Sequence, residues 1–376
     1  MELEFTADQE DLRQGVRSFL DDQCSPTLIR DIVEGNATAQ PLWTQMVELG
    51  WPALTIPESW GGLGLGPLEA AVVSEELGRA IAPGPLFATM TQFIPAVLAV
   101  GDTTAHERFL PSVAEGKTTG TLALSEIGTG VDPAQVNTTA QRDGDDWLLT
   151  GTKHGVLNGL EVDEIVVVAR VAGTSGDNGV GAFVVPANEA DLTPVVGLDA
   201  TRSLATLNLA GLRIGADRVL GDPGPDTAMA LRTAVDESIT GLALEIVGTS
   251  QTIFDVTLAY AKERHQFGVP IGSFQAIKHK FADMLVLLER ARATSYFAAL
   301  TVAEADSRRT IAAATAKAAA GDCQRRIGRE GIQIHGGIGF TWEHNMHIYV
   351  RRALTDAQLL GPADEQRARI ADLILV

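Results

Sequence analysis

The period of the apolar positions changes twice along the chain. From residue 1 to about 118 they recur at helical spacing with breaks between runs. Leu12, Val16, Phe19 and Leu20 share one face, and another helix begins after Pro67, where Leu68 and Val72 lie one turn apart. Between them stands PESWGGLGLGP (57–67). Its glycines follow no strand and open no βαβ unit, so it reads as a loop joining two helices. From about 119 to 225 the pattern becomes short β-branched runs, WLLTGTK, EIVVVARV, GVGAFVVP and LATLNLAGLRI. The polar stretches RDGDD, GTSGDNG and PANEAD separate them, which predicts a small antiparallel sheet or barrel. From about 226 onward the helical period returns in three long segments and a shorter last one. Phe281, Met284, Leu285 and Leu288 mark one such face. The expected fold is α+β in three domains: a helical domain (1–118), an antiparallel β-barrel domain (119–225) and a four-helix bundle (226–376).

Composition narrows the class. A chain of 376 residues, 45% hydrophobic and 20% charged, suits two or three globular domains. No apolar run is long enough to span a bilayer. The acidic, amphipathic start MELEFTADQEDLRQGVRSFL lacks the basic and apolar regions of a signal peptide, so a cytoplasmic location is expected. Cys24 and Cys323, far apart and without metal spacing, fit a reducing compartment. A net charge of −19 argues against nucleic acid, and no membrane partner is expected. A small polyanionic ligand would need local arginines or helix N-termini.

Two stretches carry chemistry. In YAKERHQFGVPIGSFQAIKHKFADM (260–284), Arg264 ends a long helical pattern, where a guanidinium can pair with a phosphate. Phe267 offers an aromatic face, and Gln275 opens the next helix. In GIQIHGGIGFTW (331–342), Gly336 and Gly337 leave backbone N–H groups free to approach a phosphate. His335, His344 and His347 lie nearby. No carboxylate or cysteine stands at metal-ligand spacing to them, so they read as partly exposed, satisfied histidines and no metal site is expected.

Together with LPSVAEGKTTGTLALSE, LLTGTK and PESWGGLGLG, these stretches resemble the acyl-CoA dehydrogenase family of flavoproteins over essentially the whole chain. The resemblance implies an extended FAD shared between neighbouring subunits. Arg264 would reach its pyrophosphate, Gln333, Gly336 and Gly337 would lie along its adenosine diphosphate half, and Phe267 and Gln275 carry over as cofactor-binding residues. It also implies an acyl-CoA substrate, an oligomer and an electron-accepting flavoprotein. Ser125 remains as a hydroxyl that could reach the flavin.

The other end of the site departs from the family. Dehydrogenation of an acyl thioester needs a carboxylate to take the α-proton while flavin takes the β-hydride. The family's two positions for that glutamate correspond to Leu360, in RRALTDAQLLGPADEQ, and Ser238, which lies 26 residues before Arg264. The family arginine beside the second position is Ile239. Its flavin-contacting Trp-x-Thr corresponds to Gly155 and Leu157, a loop serine to Val131, and the threonine after the glutamate-glycine pair to Pro362. Glu237 is the backup base, needing the smallest register change. Asp236, Glu237 and Glu245 otherwise read as solvated or network carboxylates. The favoured reading is therefore a subunit without its own base, paired with a homologous base-carrying chain as an α2β2 assembly. Such pairs occur among actinobacterial enzymes of steroid side-chain breakdown. The alternatives are a self-sufficient homotetramer with a relocated glutamate, Glu237 or Glu245, or a monooxygenase-like flavoprotein.

Overall fold

A computed structural model describes residues 5–375; residues 1–4 and 376 of the two outer expected domains lie outside it. The first region is helical: α1 (Ala7–Gln23), α2 (Pro26–Val33), α3 (Gln40–Glu48), α4 (Pro67–Ala80), α5 (Leu86–Ala88), α6 (Ile94–Val100) and α7 (Thr103–Ala114). A π-helical turn, Thr89–Phe93, joins α5 to α6. A reciprocal cap starts α1: Gln9 N–H donates to the Thr6 hydroxyl, and the Thr6 N–H donates to the Gln9 side chain. The helix then buries Val16 and Leu20. Residues 57–67 form a loop carrying one 3-10 turn, Glu58–Trp60.

The middle region holds β1 (Gly120–Ala123), β2 (Thr139–Asp143), β3 (Asp146–Leu157), β4 (Glu164–Val171), β5 (Val180–Pro186), β6 (Asp191–Pro194), β7 (Leu204–Ile214) and β8 (Val219–Leu220). The expected antiparallel barrel is corrected here to one open, mixed sheet. Its order is β6-β7-β3-β2-β4-β5-β8, with β6 and β8 at its edges. Both β1 and β2 pair in parallel with the same strand, β4: Leu122 opposite Val166 and Thr139 opposite Arg170. The sheet does not need to close, because helices cover it. Phe93, Phe109, Leu231 and Val235 pack with Val166, Val168 and Val184 of its strands.

The last region comprises α8 (Pro225–Glu263), α9 (Gln275–Ala303), α10 (Arg309–His335), α11 (Met346–Gln358) and α12 (Ala363–Ile374). A small hairpin of β9 (His265–Gln266) and β10 (Val269–Pro270) lies between α8 and α9. Where four helices were expected, three long ones and two short ones are seen. The reason is the turn at Leu360–Gly361 (φ 53° and 84°), which separates α11 from α12. No helix among the described residues is long and apolar enough to cross a membrane.

The 39-residue α8 is the spine. It approaches α4 through glycines on both sides. A Cβ on Gly78 would stand 2.1 Å from the Glu245 carbonyl oxygen, and one on Gly248 1.9 Å from the Glu75 carbonyl oxygen. A buried charge network then ties α8 to α11 and to the β6–β7 loop. Arg352 donates to Glu245 at 3.0 Å and pairs with Asp199 at 3.0 Å, while Arg202 bridges Glu245 and Asp356. Glu245 is thus a network carboxylate.

Candidate cofactor and active site

The chain carries two separate constellations, one at each end of the C-terminal half of α8. At the outer tip, α8 ends at Arg264, and β9 and β10 fold the QFGVP segment back before Gln275 starts α9. Tyr260, one turn before Arg264, stacks on His335 at 4.4 Å and its hydroxyl donates to the His335 carbonyl oxygen. That contact brings the end of α10 to the same tip, so Arg264, Phe267, Gln275, Gln333, Gly336 and Gly337 gather there. All six are exposed. Phe267 is 93% exposed and holds φ +53°. The Arg264 guanidinium has no side-chain partner among the described residues. A Cβ on Gly336 or Gly337 would meet nothing within 4 Å. An unpaired guanidinium beside bare backbone and an outward-facing phenyl ring fits the phosphate-and-adenosine half of a dinucleotide. The histidines behind this tip differ from expectation. His335 and His347 are buried, because Tyr260 and Trp342 stack on them (4.4 and 4.7 Å), and His335 Nδ1 lies 2.8 Å from the Gly331 carbonyl oxygen.

The second constellation is a pocket of about 280 Å³ between the sheet and the α11–α12 turn. Gln92, Leu124, Ser125, Gly155, Leu157 and Leu360 are among its lining residues. The loop bearing Ser125 is fixed from below by a buried ion pair. Lys153 Nζ donates to Glu126 Oε1 at 2.6 Å, and Glu126 also takes N–H and O–H bonds from Thr138. Burial alone would raise the Glu126 carboxyl. The Lys153 charge and these hydrogen bonds outweigh it and hold the carboxyl at about 2, while burial lowers the Lys153 ammonium to about 8. On the opposite wall, Lys317 Nζ donates to the carbonyl oxygens of Ala357 and Gly361 at 2.9 and 3.2 Å, clamping the turn that carries Leu360. Burial lowers Lys317 to about 7.

The positions expected for a base contain none. Leu360 lines the pocket in a left-handed conformation. Ser238 is fully buried behind the pocket wall, and its hydroxyl donates to Ala234 and Thr91 carbonyl oxygens at 2.8 and 2.7 Å. Glu237, half-buried, points elsewhere. It lines a water-sized space of about 20 Å³ between α4, α8 and α9, with Ser74, Thr240 and Ala299. Burial pushes it up to about 7 against the pull of Arg309. Asp236 is held by Thr310, Arg309 and Arg369. The acid that sequence reasoning missed is Glu365, which lines the pocket from α12. Its only sequence signal, an acid in the first turn of a helix, reads equally well as a helix-dipole residue.

The two constellations cannot serve one ligand in one chain. Ser238, behind the pocket, and Arg264, at the tip, are 26 residues apart on α8. At the helical rise that is roughly 39 Å, beyond the span of one extended dinucleotide.

The scaffold is thus helical, sheet and helical, with an exposed arginine–glycine tip and a separate inner pocket. Models of the acyl-CoA dehydrogenase N-terminal, middle and C-terminal domains match residues 6–117, 121–215 and 229–375. The acyl-CoA dehydrogenase IpdE2 of Mycobacterium tuberculosis is 35% identical over 363 residues, covering 96% of this chain and 95% of that protein. Among solved structures, the ChsE4–ChsE5 complex of Mycobacterium tuberculosis superposes with TM-score 0.89 at 28% identity, covering 100% and 99% of the two chains. A variant of the Tcur3481–Tcur3483 steroid ACAD gives 0.85 at 30%, covering 98% of each. The chain belongs to the acyl-CoA dehydrogenase family. It is an FAD-dependent oxidoreductase acting on acyl-CoA.

Proposed function

We propose that this chain is the base-lacking subunit of a hetero-oligomeric acyl-CoA dehydrogenase, two copies assembling with two of a homologous chain that carries the catalytic glutamate. The observation that carries the reading is the state of Ser238 and Leu360. One hydroxyl is consumed by two carbonyl oxygens, and the other side chain is a hydrocarbon facing the pocket. Neither can take an α-proton. The tip residues, by contrast, stay free for a cofactor seated in a neighbour.

FAD, when bound, supplies the hydride-accepting chemistry. This chain's part is to bind and orient it. Arg264 would hold its pyrophosphate by charge-assisted hydrogen bonds, the Gly336–Gly337 backbone and Gln333 would support its adenosine diphosphate half, and the exposed Phe267 would offer it an aromatic face. The likeness to a protein complex and to a steroid ACAD supports a CoA thioester of a steroid side chain as the assembly's substrate. An electron-transferring flavoprotein would be the partner that accepts the electrons.

The test is the visible spectrum of the chain purified alone and after co-expression with a homologous neighbour. The proposal expects little or no flavin alone, and a yellow complex bleached by acyl-CoA with the partner. A yellow lone chain bleached by acyl-CoA overturns it and redirects attention to Glu237. A yellow complex that no acyl-CoA bleaches points to monooxygenase-like chemistry.

A further inference from the structure

The pocket beside Ser125 opens into a larger cavity of about 530 Å³, whose walls include Asp132, Arg232, Thr310 and Arg369. Thr129, Gly130, Val131 and Glu365 line both spaces and so form the throat between them. Elsewhere the inner pocket is walled by Gln92, Leu122, Leu124, Leu157 and Leu360. Both arginines of the outer cavity are already paired, Arg232 with Asp132 and Asp177 and Arg369 with Asp236, so what it offers a CoA tail is room rather than free positive charge. A CoA thioester bound there would have to send its acyl end through the throat.

Glu365 stands in that passage. The left-handed pair Leu360–Gly361 turns the chain so that the first turn of α12 faces the 128–132 loop. A Cβ built on Gly361 would lie 3.2 Å from Glu365 Oε1, and one on Gly130 would lie 3.3 Å from the same oxygen. The carboxylate therefore fills the gap between the two walls. It is half-buried and takes no hydrogen bond or ion pair from the described residues. Burial, followed by the neighbouring Asp364 charge, raises its pKa, while Lys317 and Arg369 oppose the rise. An unpaired, partly desolvated carboxylate costs stability. The packing of α12 does not call for one, since Ala363 and Gln366 carry its buried face.

We propose that Glu365 is a specificity-determining stopper that keeps acyl-CoA out of this chain's own pocket. The proposal rests on the partner-dependent reading and deepens it: substrate is directed to the base-carrying subunit because the passage from the outer cavity is obstructed here. The carboxylate works by narrowing the throat, and an arm passing it must also displace the water that solvates its charge. The apolar residues beyond it, Val131, Leu157 and Leu360, provide no polar reward for entry.

The experiment is calorimetric titration of the full chain with butyryl-CoA, alone and in the co-purified assembly, for the wild type, Glu365→Ala and Glu365→Gln. Glu365→Ala should create a saturable site on this chain at least tenfold tighter than any in the wild type. Glu365→Gln, which removes charge but keeps length, should gain less. Wild-type-like binding in both variants overturns the stopper and leaves the partner-dependent reading intact. Tight binding to the wild type that Glu365→Gln weakens also overturns it, because the carboxylate would then be part of a ligand site. The partner-dependent reading fails by a different signal, bleaching of flavin in the chain alone.

Discussion

Replacing Arg264 separates a cofactor contact from a structural one. Its guanidinium is exposed and has no partner among the described residues, so Arg264→Ala should leave folding stability within about 0.5 kcal/mol. If the side chain meets a pyrophosphate, the loss is that of hydrogen bonds to a charged group, about 1.5–3 kcal/mol. That converts to a roughly 10- to 150-fold weaker hold on FAD. Arg264→Lys keeps the charge but loses the planar fork, and should fall between wild type and alanine. Because the tip and the pocket are roughly 39 Å apart along α8, the weakened cofactor is the one seated in the neighbouring subunit. The assay is the flavin-to-protein ratio of the co-purified assembly after dialysis, with thermal melting of each protein as the control. Unchanged FAD retention in Arg264→Ala would refute the assignment of the tip. A melting temperature that falls in the cofactor-free chain as well would recast Arg264 as structural.

Three further outcomes follow from the packing and the ion pairs. Gly78→Ala places a methyl 2.1 Å from a carbonyl oxygen of α8 and should destabilise the chain by about 3 kcal/mol in urea titration; Gly248→Ala acts on the same interface, so the double variant should cost less than the sum. Lys153→Met strands Glu126 and should cost about 3–5 kcal/mol. In the wild type the Glu126 carboxyl is depressed from 4.5 to about 2, so its stabilisation is complete above about 4.5 and fades as pH falls toward 2; acid titration of Lys153→Met should lack that component. Glu237 is raised from 4.5 to about 7, so the folded state favours its protonated form and loses stability as pH climbs through that interval. Glu237→Gln should be more stable than wild type at pH 8 by about 1–3 kcal/mol, with unchanged bleaching of the assembled flavin by acyl-CoA.

The helical–β–helical succession could be read from local pattern because each region has its own period. Val16 and Leu20 are buried where the spacing put them, and EIVVVARV is β4, buried from Ile165 to Ala169. The open sheet could not be read. It depends on β1 and β2 both docking in parallel on β4, and short β-branched runs do not encode a nonlocal pairing. Burial of His335 and His347 depends on Tyr260 and Trp342 arriving from elsewhere in the chain or in the turn. The tip residues were expected from motifs, and the structure leaves them exposed at the joined ends of α8 and α10. Glu365 was not, since only the turn at Leu360–Gly361 aims the first turn of α12 into the throat. The same holds for the network on Glu245, whose arginines come from the β6–β7 loop and α11.

The central claim is that proton abstraction belongs to another chain. The direct measurement is single-turnover reduction of the flavin by acyl-CoA in the co-purified assembly, before and after replacing the partner's catalytic glutamate with glutamine. Loss of a general base removes about 10²- to 10⁴-fold of rate. The account predicts that reduction falls by that factor in every flavin of the assembly. A fast phase that survives with part of the original amplitude would show that this chain abstracts the proton itself, and would contradict the account.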